Sequence, residues 1–349
     1  MRFLEEAVKH SATDLHLTEG SDAVIRVHGK MSVLGACSES DYRQITQLLI
    51  ADSSIVMNAN EKVKDFSTTL PDIGRVRVRC YEAGGKKCMA IRFLPTVISL
   101  PDQLGWQSAL YKLCTLTQGL VLVTGPTGSG KTTTLAAVLE RINSQRACHI
   151  VTLESPIEYV FASQKALVHQ CEIPSDIGSF AEGATAVLRL DPDVIMVGEL
   201  ANQETMRAVL KLAESGHLVF ATMHTASAVD AVEYFVNHFD VAEQQGIRHQ
   251  LANVLQAVVT QRLLVNSQLD NRVAAYEVLL RNTAMVQQIK SNDFTQLFHT
   301  LESGRMEGMV TLEESLAKMV KTGVVHFEEA LHQANYPDNL RKYLLQSGD

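Results

Sequence analysis

Gly125-Pro126-Thr127-Gly128-Ser129-Gly130-Lys131-Thr132 fills every fixed position of the pattern G-x-x-x-x-G-K-[ST], and its flanks decide the fold that carries it. The apolar run Leu120 to Val123 precedes it, and Leu135, Val138, Leu139 and Ile142 follow at helical spacing. A strand therefore leads into the loop and a helix leads out. Glycines at 125, 128 and 130 let backbone N–H groups converge on phosphate oxygens where a Cβ would intrude. The helix N-terminus adds partial positive charge. In such a loop Lys131 reaches the β and γ phosphates of ATP and the Thr132 hydroxyl ligates Mg²⁺, with Thr133 as a further candidate contact.

Working outward, short apolar runs alternate with helical stretches: LVLVT from 120, HIVTL from 149, DVIMV from 193 and HLVFAT from 217. That alternation predicts an α/β domain with a parallel sheet covered on both faces. Three of these runs end in residues suited to phosphate chemistry. Gly198-Glu199 follows DVIMV, so glycine occupies the place where many such ATPases order a metal with aspartate, and a carboxylate comes one residue later. A glutamate there is placed to orient attacking water. Glu154 and Glu158 follow HIVTL, and His224 follows HLVFA, where it can sense the γ-phosphate. Taken singly, His217 and His224 also fit local structural hydrogen bonding. From about Glu243 the pattern reads as helical, including IRHQLANVLQAVVTQRLL, up to a last helix closing near Leu345.

The first hundred residues mix short strands and helix, as in a small α+β module. Arg75, Arg77 and Arg79 alternate with Val76, Val78 and Cys80, so a strand here carries guanidiniums on one face and apolar side chains on the other. Gly84-Gly85 predicts a turn and CMAIRFLP a return strand. Residues 99–106, with Pro101 and Gly105, form the expected linker between residues 1–98 and 107–349. At 349 residues the chain exceeds one ordinary core. Its net charge of −8 argues against nucleic acid as partner. Six scattered cysteines lack C-x-x-C spacing, no stretch reads as a secretory signal, and none approaches the length of a membrane span.

The series ATDLHL, GPTGSGKTTTLAA, TLESPIEYV, LRLDPDVIMVGEL, ESGHLVFATMHTASA and GRMEGMVTLEESL resembles, in order and over nearly the whole chain, the type IV pilus retraction ATPases, the PilT group of the secretion ATPases. The resemblance implies a PAS-like N-terminal domain, a RecA-like P-loop ATPase domain with C-terminal helices, and a cytoplasmic homohexamer. Its work would be removal of pilin subunits at the inner membrane, through a membrane platform protein and with no transmembrane segment of its own. Carried over residue by residue, Lys131 and Thr132 match the Walker A pair, Glu158 the catalytic acidic box, Glu199 the atypical Walker B glutamate and His224 the His box. Arg75 and Arg77 match an arginine strand that would reach a neighbouring subunit's phosphate. The residues alone leave open a solvent-facing or edge-guarding row of cations.

The departures are specific. Ser155 replaces the aspartate of Glu-Asp-Pro, and Leu200-Ala201-Asn202 replaces Met-Arg-Asp. The retraction-linked A-I-R-N-L-I-R-E element corresponds loosely to Ala284 through Ser291 without its arginines. The absence of a large extra N-terminal region and of a tetracysteine site favours the retraction branch over the assembly branch. Two other readings share the chemistry: an accessory or regulatory subunit acting with a paralogous pilus ATPase, and a related secretion or conjugation ATPase.

Overall fold

The computed structural model describes residues 1–27, 29–51, 64–95, 97–269 and 271–346. The chain forms two compact units: Met1–Val97 together with Pro156–Val160, and Ile98–Ser155 together with Phe161–Asp349. The fold is mixed α/β.

In the first unit, helices α1 (Arg2–Lys9) and α2 (Glu39–Ala51) accompany six strands: β1 (Asp14–Thr18), β2 (Ser21–Val27), β3 (Lys30–Cys37), β4 (Lys64–Leu70), β5 (Gly74–Ala83) and β6 (Lys86–Phe93). They form one antiparallel sheet in the order β3-β2-β1-β6-β5-β4. Gly84 and Gly85 both take positive φ, +58° and +75°, which is the backbone that a tight β5–β6 hairpin demands. Val76 and Val78 join Phe3, Leu15, Leu49 and Ile91 in the core, whereas Arg75 and Arg77 stay half-buried and Arg79 exposed. β5 lies inside the sheet, between β6 and β4, so its arginines do not guard an edge.

The second unit is built on a seven-stranded sheet. Its strands are β7 (Gly119–Thr124), β8 (His149–Glu154), β9 (Leu167–Glu172), β10 (Val194–Val197), β11 (Leu218–Thr222), β12 (Leu255–Val265) and β13 (Arg272–Leu280), in the order β13-β12-β7-β11-β10-β8-β9. All neighbours pair in parallel except β12 with β13. Two apolar layers cover the sheet. One face packs α3 (Ser108–Leu113) and α4 (Lys131–Gln145). The other packs α5 (Phe180–Ala186), α6 (Gln203–Glu214), α7 (Ala228–Asn237), α8 (Val241–Val254), α9 (Thr283–Ser291) and α10 (Phe294–Ser303). A further cluster gathers α11 (Leu312–Lys321), α12 (Phe327–Gln333) and α13 (Pro337–Leu345) around Leu264 and Ala275.

Two expectations need correction. The helical reading of IRHQLANVLQAVVTQRLL holds only to Val254, beyond which the chain runs as β12. The segment LQAVVTQRLLV is rich in β-branched residues and buried almost throughout, so periodicity could not separate strand from buried helix there; pairing with β7 decides it. Residues 99–106 are part of the second unit: Pro101–Leu104 form a 3₁₀ turn and Trp106 is buried in that unit's core.

Glu277, in the middle of β13, is buried. Burial pushes its carboxyl up to about 7 from the ordinary value, reinforced by the nearby Glu313 and Asp230 carboxylates and opposed by hydrogen bonds from the Ala228 and Leu312 N–H groups. A folded-state value above the unfolded one means that the native chain binds the proton more tightly. This contribution to stability is therefore full below about pH 4.5 and declines as pH rises toward 7. Glu277→Gln should flatten the decline of unfolding free energy between these values in urea titrations; parallel slopes in parent and variant would refute it.

Candidate functional site

Parallel strands bring their C-terminal ends to one edge, and the phosphate-type residues of the second unit sit there. β7 delivers the glycine-rich loop into α4. Gly125, Gly128 and Gly130 take φ of +138°, +79° and +86°, backbone that L side chains rarely adopt. A Cβ at Gly125 would lie 2.4 Å from the Gln261 carbonyl oxygen, so close approach of β12 imposes this glycine as well. At Gly128 a Cβ would meet nothing within 4 Å, leaving its side of the loop open to a ligand.

Lys131 is 9% exposed. Its Nζ donates to the carbonyls of Gly125 (2.8 Å) and Pro126 (3.1 Å) and lies 3.3 Å from His224 Nδ1. His224 Nε2 in turn lies 3.5 Å from Glu199 Oε1. A lysine, a histidine and a glutamate from three different strand ends thus form one line across the loop. Backbone bonds hold these ends in place: Met223 N–H donates to Val123 O (3.1 Å), Leu200 N–H to Thr222 O (3.0 Å) and Gly198 N–H to Leu153 O (2.8 Å). A Cβ at Gly198 would press on Leu153 O at 3.1 Å, which accounts for glycine immediately before Glu199.

The other predicted residues divide between the units. Thr132 and Thr133 are half-buried on the first turn of α4; Pro126 and Thr127 are exposed and Ser129 is buried. The Ser129 hydroxyl oxygen is buried with no hydrogen-bond partner among the described residues. Glycines opened by positive φ, a buried lysine, an unpartnered buried hydroxyl and a threonine at a helix start suit a triphosphate with a divalent cation. Glu154 is committed to the sheet, where its Oε1 accepts from Thr152 Oγ1 (2.6 Å) and Gln170 Nε2 (3.0 Å). Glu158 groups with the first unit. Within that unit Arg75 Nε donates to Ile157 O (2.9 Å), one residue from Glu158, and Arg77 stands in register between Ser67 and Arg92. Arg92 pairs with Asp14 at 2.8 Å.

His224 also borders an open groove of about 620 Å³ lined by Asp230, Glu233, Tyr234 and His238. Two carboxylates there repel a triphosphate, so the phosphate side of His224 is the one facing Lys131. Among the described residues no group of three or more His, Cys, Asp or Glu forms a metal cluster, and no helix is long and apolar enough to cross a membrane.

The family described as type II/IV secretion system protein matches residues 1–343. The chain belongs to that family. Among its relatives, a twitching motility protein of Neisseria gonorrhoeae is 37% identical, with 91% of this chain and 85% of that protein covered. The type IV pilus retraction ATPase PilT of Pseudomonas aeruginosa is 36% identical, with 95% and 97% covered. The crystal structure of the pilus retraction motor PilT with bound ADP superposes with a TM-score of 0.88 at 35% identity, covering 97% of this chain and 98% of that one. The secretion ATPase resemblance drawn from the motifs is thereby established.

Sequence reasoning misses Gln261 and Thr260. Gln261 Nε2 donates to the Ser129 carbonyl and Thr260 Oγ1 meets Thr124 Oγ1 at 2.8 Å, so β12 buttresses the phosphate loop of this secretion ATPase. Their only signal is a polar pair inside an apolar run, and the pattern of that run suggests a helix. Gly125→Ala should displace the loop from β12 and weaken ATP binding by roughly tenfold or more, about 1.4 kcal/mol, in calorimetric titration. Parental affinity with unchanged circular dichroism would contradict that geometry.

Proposed function

We propose that this chain is the ATP-hydrolysing motor that powers type IV pilus retraction. It works as a cytoplasmic homohexamer that engages a pilus platform protein at the inner membrane, with a PAS-like domain in the first unit and a RecA-like ATPase domain in the second. The observation that carries the reading is the line Lys131, His224, Glu199 at the C-terminal edge of a parallel sheet, in a chain that aligns nearly end to end with a retraction ATPase.

The roles rest on the strand-end geometry for Lys131, His224 and Glu199, and on the motif resemblance for Glu158, Arg75 and Arg77. The loop Gly125 to Thr133 binds the triphosphate through backbone N–H groups and Lys131. Thr132 would hold Mg²⁺, which would supply charge neutralisation at the phosphates. Glu199 orients and deprotonates water, with Glu158 assisting, and His224 senses the γ-phosphate. Arg75 and Arg77 offset charge on the phosphoryl group bound by a neighbouring subunit.

Glu199→Gln should lower steady-state ATP turnover by roughly 10²- to 10⁴-fold while retaining ATP binding, and unchanged turnover would remove Glu199 from the role of base. Lys131→Ala should lose binding as well. Parental turnover near zero, with tight ATP binding, would instead favour an accessory subunit acting with a paralogous pilus ATPase. Cells lacking the chain should accumulate pili and lose twitching. Normal piliation and movement would point to the secretion or conjugation reading.

A further inference from the structure

His224 sits in the five-residue connection Met223 to Ser227 between β11 and α7, and this connection is gripped from outside at two points. Arg262 on β12 donates through Nη2 to the Ala226 carbonyl at 2.9 Å, and Asn335 Nδ2 donates to the same oxygen at 3.1 Å. Arg262 Nη2 also reaches Asn335 Oδ1 at 3.3 Å, so the three groups close a ring. Two residues on, Ala228 N–H donates to Glu277 Oε1 at 2.6 Å, and Glu277 Oε2 accepts from Leu312 N–H at 3.4 Å where α11 begins. Glu313, next in α11, accepts from Tyr336 N–H at 2.8 Å and fixes the turn that presents Asn335.

These side chains are in costly places. Arg262 is 8% exposed and Glu277 1%. Burying ionisable groups rarely favours stability over apolar side chains of the same shape. Here the polar atoms are directed at backbone groups of one loop and at the start of the C-terminal helices. Arg262 also interacts electrostatically with the Glu277, Asp230 and Glu313 carboxylates, so the same cation offsets the burial of Glu277 and Glu313.

We propose that Arg262, Asn335 and Glu277 are positioning residues for His224, clamping its loop at Ala226 and Ala228 and joining that loop to the C-terminal helices α11 to α13. The inference rests on the reading of His224 as the γ-phosphate sensor. Displacement of the C-terminal helices would then be felt at the nucleotide, and nucleotide state at the helices, through a few hydrogen bonds, one made directly by Asn335 and the others by side chains of β12 and β13.

The test uses the full chain with ATP and Mg²⁺. Asn335 is half-buried between helices, so Asn335→Ala should fold even where Arg262→Met does not, and thermal melting checks this. Asn335→Ala is expected to lower kcat by about five- to tenfold with KM for ATP within about twofold, because the phosphate loop is untouched. In a His224→Ala background the same substitution should bring no further loss. Hydrogen exchange should rise in the peptide covering 223–229 and not in α4. Unchanged exchange there, or an equal fold-loss in both backgrounds, overturns the proposal. Should His224→Ala alone turn over like the parent, the sensor reading has failed, and the exchange measurement by itself decides whether the clamp holds this loop.

Discussion

Parallel pairing of β7 with β11 on one side and β12 on the other is the constraint on which the second unit depends. All six residues of β7 are buried, so the strand's address is set by apolar packing on both faces and by ladder bonds on both edges. Because the pairing is parallel, the ends of β7, β10 and β11 emerge together. Their loops have to meet, and Lys131, Glu199 and His224 meet within them. β12 closes the other side, where its Gln261 carbonyl leaves no room for a side chain at position 125. The chemistry of the site is a consequence of strand order before it is a consequence of any single residue.

Electrostatics then work locally against the global field. A net charge of −8 repels a nucleotide at long range. The loop answers with backbone N–H groups, a helix start and one buried ammonium. That ammonium is already oriented by the Gly125 and Pro126 carbonyls, so it exchanges neutral acceptors for anionic ones when phosphate arrives. Carboxylates near such a loop are useful only if they are free to act on water. Glu154 is held by Thr152 and Gln170 within the sheet, whereas Glu199 is half-exposed and lies 3.5 Å from His224.

What is legible in the sequence follows from the kind of signal each element carries. The phosphate loop and the strands β7, β8, β10 and β11 combine motif spacing with short apolar runs bounded by polar residues, and they are readable. The arginine strand is readable because strict alternation over six residues matches the two-residue repeat of a strand and mismatches the 3.6-residue repeat of a helix. β12 is not, since a run buried on both faces has no period to show. Gln261, Arg262 and Glu277 are hidden with it and with β13: their partners are the backbone of residues 129, 226 and 228, far away in sequence, and no local pattern announces a side chain that grips distant main chain.

Two of the positions where the chain departs from the retraction pattern, Leu200 and Asn202, are absorbed into the fold. Asn202, where the motif resemblance leads to aspartate, caps α6 by accepting from Thr205 N–H at 2.8 Å, and Leu200 is buried next to Glu199. Asn282 likewise caps α9, the helix matching the altered retraction element, by accepting from Met285 N–H at 2.8 Å. None of these replacements alters Lys131, His224 or Glu199 itself, and Leu200, next to Glu199 in the chain, donates its N–H to Thr222 O at 3.0 Å. A change that keeps the helix cap and the strand end preserves the geometry of hydrolysis while removing charges that can pair beyond the site. Ser155 differs from these, because it stands in the segment after β8 that leads to Glu158, where the resemblance places a carboxylate.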